Sequence, residues 1–173
     1  MDPNQAKFLT DYFVNQLESE SKTTARVLAA VGTGNRDYRP DEKSRSAWDL
    51  ATHIASADIW FLDSIVKGAF VFDPNVEKAQ VAQFKTVKDV VDFYDREFAA
   101  QLNALRALSP EELAADVDFF GMFKQARAAL LGMASNHSIH HRGQLASYLR
   151  PMGSKVPSIY GGSADEPMAA AAN

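Results

Sequence analysis

The segment from Met122 to Arg150 reads MFKQARAALLGMASNHSIHHRGQLASYLR, and its pattern decides the fold. Apolar residues recur there at steps of three and four, which is typical of one face of an α-helix. The pattern predicts a helix from Met122 to Arg150 that ends before Pro151 and Gly153. Its predicted core-facing stripe contains Phe123, Ala126, Leu130, Met133, His137, His141, Gln144 or Leu145, and Tyr148. Two histidines therefore share a face with the apolar residues of this helix.

Three further helices are predicted upstream by start signals that precede the same periodicity. Asp2 and Pro3 supply an N-cap acceptor and a first-turn proline, and the first helix continues to Val31. Ser46 and Thr86 each precede an aspartate by three residues, which resembles a capping box and begins the second and third helices. Each helix has one apolar stripe to bury, so the chain contains the elements of a helical bundle.

The connections between these helices complete the predicted architecture. Residues 33–43 and 69–85 are interpreted as loops, whereas the DVDFFG stretch at residues 116–121 is compatible with extended chain or loop. No alternation typical of strands persists elsewhere. The predicted fold is therefore all-α, a single four-helix bundle over residues 1–161. Residues 162–173 are expected to form a flexible C-terminal tail.

Composition and charge exclude several classes of function. The chain has 173 residues, a formal net charge of −4 and no block of basic residues, so we expect no nucleic-acid partner. No window approaches the 18 or so uninterrupted apolar residues of a membrane span, so we expect no membrane partner. Cysteine is absent, which removes disulfides, thiolate ligands and a cysteine nucleophile. These features, with no secretory signal at the N-terminus, favour a cytoplasmic protein.

The four histidines occupy two places in the predicted bundle. His53 stands alone on the stripe of the second helix, while His137, His140 and His141 lie within one turn of the last. Histidines four residues apart face the same way, so His137 and His141 can bind one ion together if a third ligand is supplied by His53. The alternative is that these are core histidines held by hydrogen bonds. His140 is ambiguous, because it lies three residues from His137 and could compete with His141.

Other catalytic motifs are not present in the sequence. Ser138 follows His137 where the HExxH motif of metalloproteases has glutamate. Gly32-Thr33-Gly34 lacks the lysine of a phosphate-binding loop, and Gly161-Gly162-Ser163 does not match a nucleophile elbow. The aromatic pairs Trp60-Phe61 and Phe119-Phe120 are interpreted as core residues rather than as a stacking platform.

Several segments of the chain resemble the DinB/YfiT-like family of metal-dependent enzymes. The resemblance rests on WDLATHI at residues 48–54 and, above all, on NHSIHHRGQL at residues 136–145. YLRPMG at residues 148–153 and VPSIYG at residues 156–161 are also similar to the ends of such proteins. The resemblance spans the chain from the first helix to Gly161.

This resemblance implies both a fold and a site. It implies a four-helix bundle in which one histidine of the second helix and two of the last bind a divalent metal, here His53, His137 and His141. It implies a homodimer, for which the first helix offers further apolar residues, namely Phe8, Leu9, Tyr12 and Phe13. Characterised relatives include thiol-dependent transferases and a maleylpyruvate isomerase that use low-molecular-weight thiols, whereas many members have no known reaction.

Two hypotheses about function follow. The first is a metal-dependent enzyme with a three-histidine site, either a hydrolase or a thiol-dependent transferase, acting on a small molecule with a low-molecular-weight thiol as a candidate partner. The expected cofactor is a divalent metal ion, zinc or nickel first and iron or manganese as alternatives. The second hypothesis is a non-catalytic, stress-associated bundle in which the ion holds two helices together. The sequence identifies no catalytic residue beyond the metal ligands.

Overall fold

The computed structural model describes residues 1–168 and contains a bundle of four long helices. The helices are α1 (Pro3–Ala30), α2 (Ala47–Lys67), α3 (Pro74–Val81), α4 (Val87–Ala107), α5 (Pro110–Ala114) and α6 (Arg127–Leu149), and a 3-10 turn at Val31–Thr33 extends α1. Helices α1 and α2 each pack against both α4 and α6. The predicted all-α, four-helix bundle is therefore confirmed. Within residues 1–168, no helix is long and apolar enough to cross a membrane.

The predicted start signals act as helix caps. The Asp2 carboxylate accepts hydrogen bonds from the backbone N–H groups of Asn4 and Gln5, at 2.9 and 3.1 Å. Ser46 and Thr86 form capping boxes with the aspartates three residues later, so each box satisfies two backbone N–H groups. These caps fix where α1, α2 and α4 begin and hence which side chains face the core.

The core lies between the four long helices and is continuous along the bundle. Ile54 of α2 and Leu130 of α6 are fully buried, as is Tyr94 of α4. The core residues of α1 are Val14, Leu17, Val27 and Leu28. Burying a large apolar side chain stabilises the fold by about 1.5–3 kcal/mol, so this shared core holds the helices together.

The prediction that residues 69–85 form a loop is wrong for the middle of this segment. Residues 74–81 form α3, which begins where Asp73 accepts a hydrogen bond from the Asn75 N–H at 2.8 Å and Pro74 occupies the first turn. Helix α3 contains no buried residue. An apolar stripe is the main signal of a helix in a sequence, so a helix that buries nothing lacks that signal.

The predicted start of α6 at Met122 is also wrong. The helix begins at Arg127, and the residues before it form an antiparallel hairpin of β1 (Asp116–Phe119) and β2 (Phe123–Ala126), with Phe119 paired with Phe123. Phe120 and Gly121 make the turn at positive φ, 55° and 73°, and the Gly121 N–H donates to the Asp118 carboxylate at 2.9 Å. The ambiguous DVDFFG stretch is therefore extended chain followed by a turn.

The end of α2 and the start of α6 meet at Gly68. Gly68 has φ 72°, the left-handed conformation that favours glycine at a helix end. The Arg127 guanidinium donates to the Val66 carbonyl at 3.2 Å and occupies the space where a side chain on residue 68 would stand. Because His53, near the start of α2, contacts the later part of α6, these two helices run antiparallel.

The segment after α6 is attached to the bundle by arginines. Arg142 is 1% exposed, forms an ion pair with Glu20 at 2.6 Å and donates to the Tyr160 hydroxyl. Arg150 pairs with Asp165 at 2.9 Å, within the predicted tail of residues 162–173. Residues 169–173 of that tail lie outside the described residues.

Candidate metal centre

Three histidines from two helices converge beside the core. His53 of α2 faces His137 and His141 of α6, with ring centroids 5.4 and 4.7 Å away, and the two α6 rings are 4.5 Å apart. One nitrogen from each ring lies within 4.8 Å of the nitrogens of the other two. His140 is exposed and contacts the His141 ring at 4.9 Å, but it does not belong to this group. The structure thus brings together His53, His137 and His141, the three residues singled out from the sequence.

The two α6 histidines lie at the edge of the buried face rather than on it. Leu130, Leu145 and Tyr148 of the predicted stripe are buried. In the middle of α6, however, the buried residues are Ala134, Ser138 and Arg142, each one position after a residue of that stripe. His137 and His141 are therefore half-buried and reach the surface between α2 and α6. This placement leaves the ring nitrogens accessible to an ion from solvent.

A buried carboxylate fixes the orientation of the His137 ring. Asp58 is 3% exposed, and its Oδ1 lies 3.3 Å from His137 Nδ1. Its Oδ2 accepts hydrogen bonds from the Ser138 hydroxyl at 2.6 Å and from the Tyr94 hydroxyl at 3.3 Å. Burial, and secondly the charge of Asp58, raises the pKa of Tyr94 well above its usual value, so this phenol stays a donor. With Nδ1–H donating to Asp58, the lone pair of His137 is on Nε2.

The other two rings also have oxygens on their Nδ1 side. His141 Nδ1 lies 3.2 Å from Gln144 Oε1, and the Gln144 amide donates to the Tyr148 hydroxyl at 3.4 Å. His53 Nδ1 lies 3.9 Å from Glu77 Oε1, beyond hydrogen-bond distance, and this buried nitrogen has no hydrogen-bond partner within residues 1–168. An acceptor beside Nδ1 is the arrangement that orients metal-binding histidines in proteins.

The surroundings of His53 and His141 favour the neutral form of both imidazoles. Burial, followed by the positive charges of Arg45, His141 and His137, lowers the pKa of His53 from 6.5 to about 3. Burial is also the main cause of a lowered pKa for His141, against the opposing effect of the hydrogen bond that Gln144 Oε1 accepts from this ring. Neutral imidazole is the form that binds metal ions. Desolvation is thus the main reason why the His53 and His141 nitrogens are unprotonated and free to bind a cation.

A cleft of about 1060 Å³ opens over His53 and His137. Its walls come from α2, α3 and α4, and its aromatic lining is Trp60, Phe61, Phe72, Phe84 and Phe93. The Phe61 ring centroid is 4.9 Å from that of His137, and the Trp60 indole N–H donates to the Val71 carbonyl at 2.8 Å. A volume of this size is just above the usual range of small-molecule sites, about 300–1,000 Å³.

A model of the DinB family matches residues 3–170. The chain belongs to the DinB family. It is 28% identical over 146 residues to the uncharacterized protein YjoA of Bacillus subtilis strain 168, covering 83% of this chain and 91% of YjoA. This assignment confirms the resemblance seen in the sequence.

Two crystal structures of DinB-like proteins are similar to this fold. One is YjoA of Bacillus subtilis, with a TM-score of 0.65 and 27% identity, covering 83% of this chain and 93% of YjoA. The other is from Bacillus cereus ATCC 10987, with a TM-score of 0.71 and 23% identity, covering 86% of this chain and 95% of that protein. The second likeness concerns the fold alone.

Several residues of the DinB-family site were not assigned from the sequence. Asp58 is one of them, although a carboxylate four residues after Ile54 on a buried stripe is a signal of a paired charge. Glu77 was missed because α3 was missed. The aromatic pairs are only partly core: Phe61 is buried, whereas Trp60 lines the cleft and Phe120 is 49% exposed.

Proposed function

We propose that this protein is a metal-dependent enzyme in which His53, His137 and His141 bind one divalent ion. The observation that supports this proposal best is the convergence of three imidazoles, two of which, His53 and His137, line a cleft. His53 and His141 have lowered pKa values, and His137 and His141 have side-chain oxygens holding Nδ1, which leaves their Nε2 atoms for the ion. Three histidines are a known donor set of catalytic zinc sites.

The donor set also restricts the metal. Imidazole nitrogen suits zinc, nickel and iron, whereas manganese favours oxygen ligands, so we propose zinc or nickel ahead of iron or manganese. When bound, the ion would supply a Lewis acid that acidifies a water molecule or a thiol at an open position. The reaction that this supports is hydrolysis or thiol-dependent transfer on a small molecule.

The protein's own residues would position the reactants. Asp58 holds the His137 ring through its hydrogen bond, and the buried Ser138 hydroxyl holds Asp58 in turn. Glu77 extends from α3 into the cleft near His53, where its carboxylate is placed to accept a proton from a bound molecule. The Phe61 ring shields one side of His137 from water.

The cleft also favours the enzyme over a non-catalytic metal-binding bundle. An ion that only holds helices together is usually enclosed by four protein ligands, as in structural zinc sites. Here the described residues offer three histidine ligands, and His53 and His137 line an open cleft of about 1060 Å³. A substrate therefore has room beside the ion.

The test is the metal content of purified variants, measured by elemental mass spectrometry. His53→Ala, His137→Ala and His141→Ala should each retain about a tenth or less of the wild-type metal, because the two remaining ligands bind an ion weakly. His140→Ala is the matched control, since His140 is exposed and lies outside the triad, and it should retain its metal. Full retention of metal in the His53 variant would exclude the triad. If the triad binds the metal, a screen of metal-loaded wild type for thiol transfer and for ester hydrolysis separates the two proposed reactions.

We further propose a homodimer that forms through the first half of α1. Phe8 and Tyr12 lie one turn apart on this helix and are 75% and 58% exposed. Met1 is also half-exposed and borders the same shallow surface. Large exposed apolar side chains grouped on one face are typical of interaction surfaces, and a twofold contact is the commonest way for identical chains to cover them.

A further inference from the structure

Arg45 places a positive charge on the wall of the cleft beside the triad. It directly precedes Ser46, the N-cap of α2, and its side chain is exposed and lines the cleft together with His53 and His137. The guanidinium is close enough to lower the pKa values of both His53 and His141. The position of Arg45 is therefore tied to the site through the helix cap.

Unlike the other cations of the cleft, Arg45 has no ion-pair partner in the part of the chain that the structure describes. Lys67 pairs with Asp63 at 2.6 Å, and Arg96 pairs with Glu97 at 2.9 Å. Arg45 makes no hydrogen bond or ion pair within residues 1–168. Its charge would repel a divalent ion at the triad, and an anion paired with Arg45 would neutralise this repulsion. The guanidinium also matches a carboxylate or a phosphate with two parallel hydrogen bonds.

The rest of the lining distinguishes between these anions. The cleft has six carboxylates, on Asp63, Asp73, Glu77, Asp89, Asp92 and Glu97, against three cations. A dianionic phosphate would meet more repulsion there than a monoanionic carboxylate. The Trp60 and Phe61 rings offer an apolar surface on the side of His137, and the Trp60 ring is held in place by its hydrogen bond to Val71.

We propose that the cleft binds an organic monoanion, whose carboxylate pairs with Arg45 while its apolar part lies against Trp60 and Phe61. The substrate class is then an aromatic or aliphatic carboxylic acid of small size. This inference rests on the proposed function in one respect: the reacting group of such a molecule would face the histidine triad. The contact with Arg45 itself needs no metal.

The proposal is tested by calorimetric titration of zinc-loaded protein with 3-phenylpropionate. Arg45→Gln should weaken binding by about tenfold or more, because a hydrogen-bonded pair of charges is lost. Arg39→Gln is the control, since Arg39 is exposed in the same connection but does not line the cleft. Arg45→Lys should give an intermediate dissociation constant. The neutral 3-phenylpropanamide should bind wild type about tenfold more weakly than the acid and should not distinguish the variants.

Three outcomes would overturn the proposal. Equal binding of 3-phenylpropionate to wild type and Arg45→Gln would show that the carboxylate contacts the metal or another group. No binding to wild type would exclude this ligand class, and tighter binding of phenyl phosphate would overturn the choice of a carboxylate. The zinc content of the same samples is measured so that the two proposals can be tested separately. If wild type binds no zinc, the metal proposal fails. Titration of the metal-free protein with 3-phenylpropionate still tests the role of Arg45.

Discussion

Replacing Asp58 by asparagine should weaken metal binding without removing a ligand. Asp58 Oδ2 accepts two hydroxyl hydrogen bonds, from Ser138 and Tyr94, whereas Oδ1 faces His137 Nδ1 alone. In Asp58→Asn, the two hydroxyl donors favour the amide oxygen at the Oδ2 position, which places the amide N–H₂ against His137. That nitrogen must then accept, so the ring proton moves to Nε2, the atom proposed to bind the ion.

The expected loss is about 10–100-fold in metal affinity, equal to about 1.4–2.7 kcal/mol, as for other groups that orient metal-binding histidines. Competition with a coloured chelator measures the affinity, and ¹⁵N NMR of the metal-free protein reports which His137 nitrogen carries the proton. Asp63→Asn is the matched control, because Asp63 lies on the same helix and pairs with Lys67 rather than with a histidine of the triad. An affinity for Asp58→Asn within twofold of the Asp63→Asn value would refute the reasoning, as would an unchanged His137 tautomer.

Two further predictions concern pH and association. Because the raised pKa of Tyr94 favours the neutral phenol in the folded state, its contribution to the free energy of unfolding is complete below pH 10 and declines above it. Denaturant unfolding at pH 8, 10 and 11 measures this free energy. Above pH 10 it should decline more steeply with pH for wild type than for Tyr94→Phe, by up to about 1.4 kcal/mol per pH unit. Parallel declines of the two proteins would contradict the prediction. Phe8→Glu should convert the proposed dimer to the 19.0 kDa monomer in sedimentation velocity at micromolar concentration, whereas Val76→Glu, exposed on α3, should not. Wild type that sediments as a monomer would exclude the dimer.

The helices and the convergence of the histidines could be predicted because both depend on local rules. Caps at Asp2, Ser46 and Thr86 fix where helices begin, and periodicity then fixes which side chains point inward. In the middle of α6, the buried face differs from the predicted stripe by one residue for a physical reason. Arg142 is buried there, because Glu20 and Tyr160 satisfy its guanidinium, and no local rule places an arginine in the core.

The remaining parts of the site depend on contacts between distant segments. Asp58 became recognisable as the partner of His137 only when α2 and α6 were packed together, since the two residues are 79 positions apart. Helix α3 buries nothing, so neither its existence nor the approach of Glu77 to His53 has a periodic signal. The cleft also forms only when distant segments pack together. The sequence therefore does not show that Trp60 lines a cleft, and its apolar ring is interpreted as a core residue.

The contact between Gly68 and Arg127 restricts where residues can be inserted or deleted in this chain. Both helices run without interruption from this junction to the triad, α2 back to His53 and α6 forward to His137. One inserted residue in either stretch would turn its histidine by about 100° and shift it by about 1.5 Å relative to the junction. Residues 54–67 and 128–136 can therefore accept substitutions but not insertions or deletions. Residues 39–44, by contrast, can vary in number while the ligands stay in register.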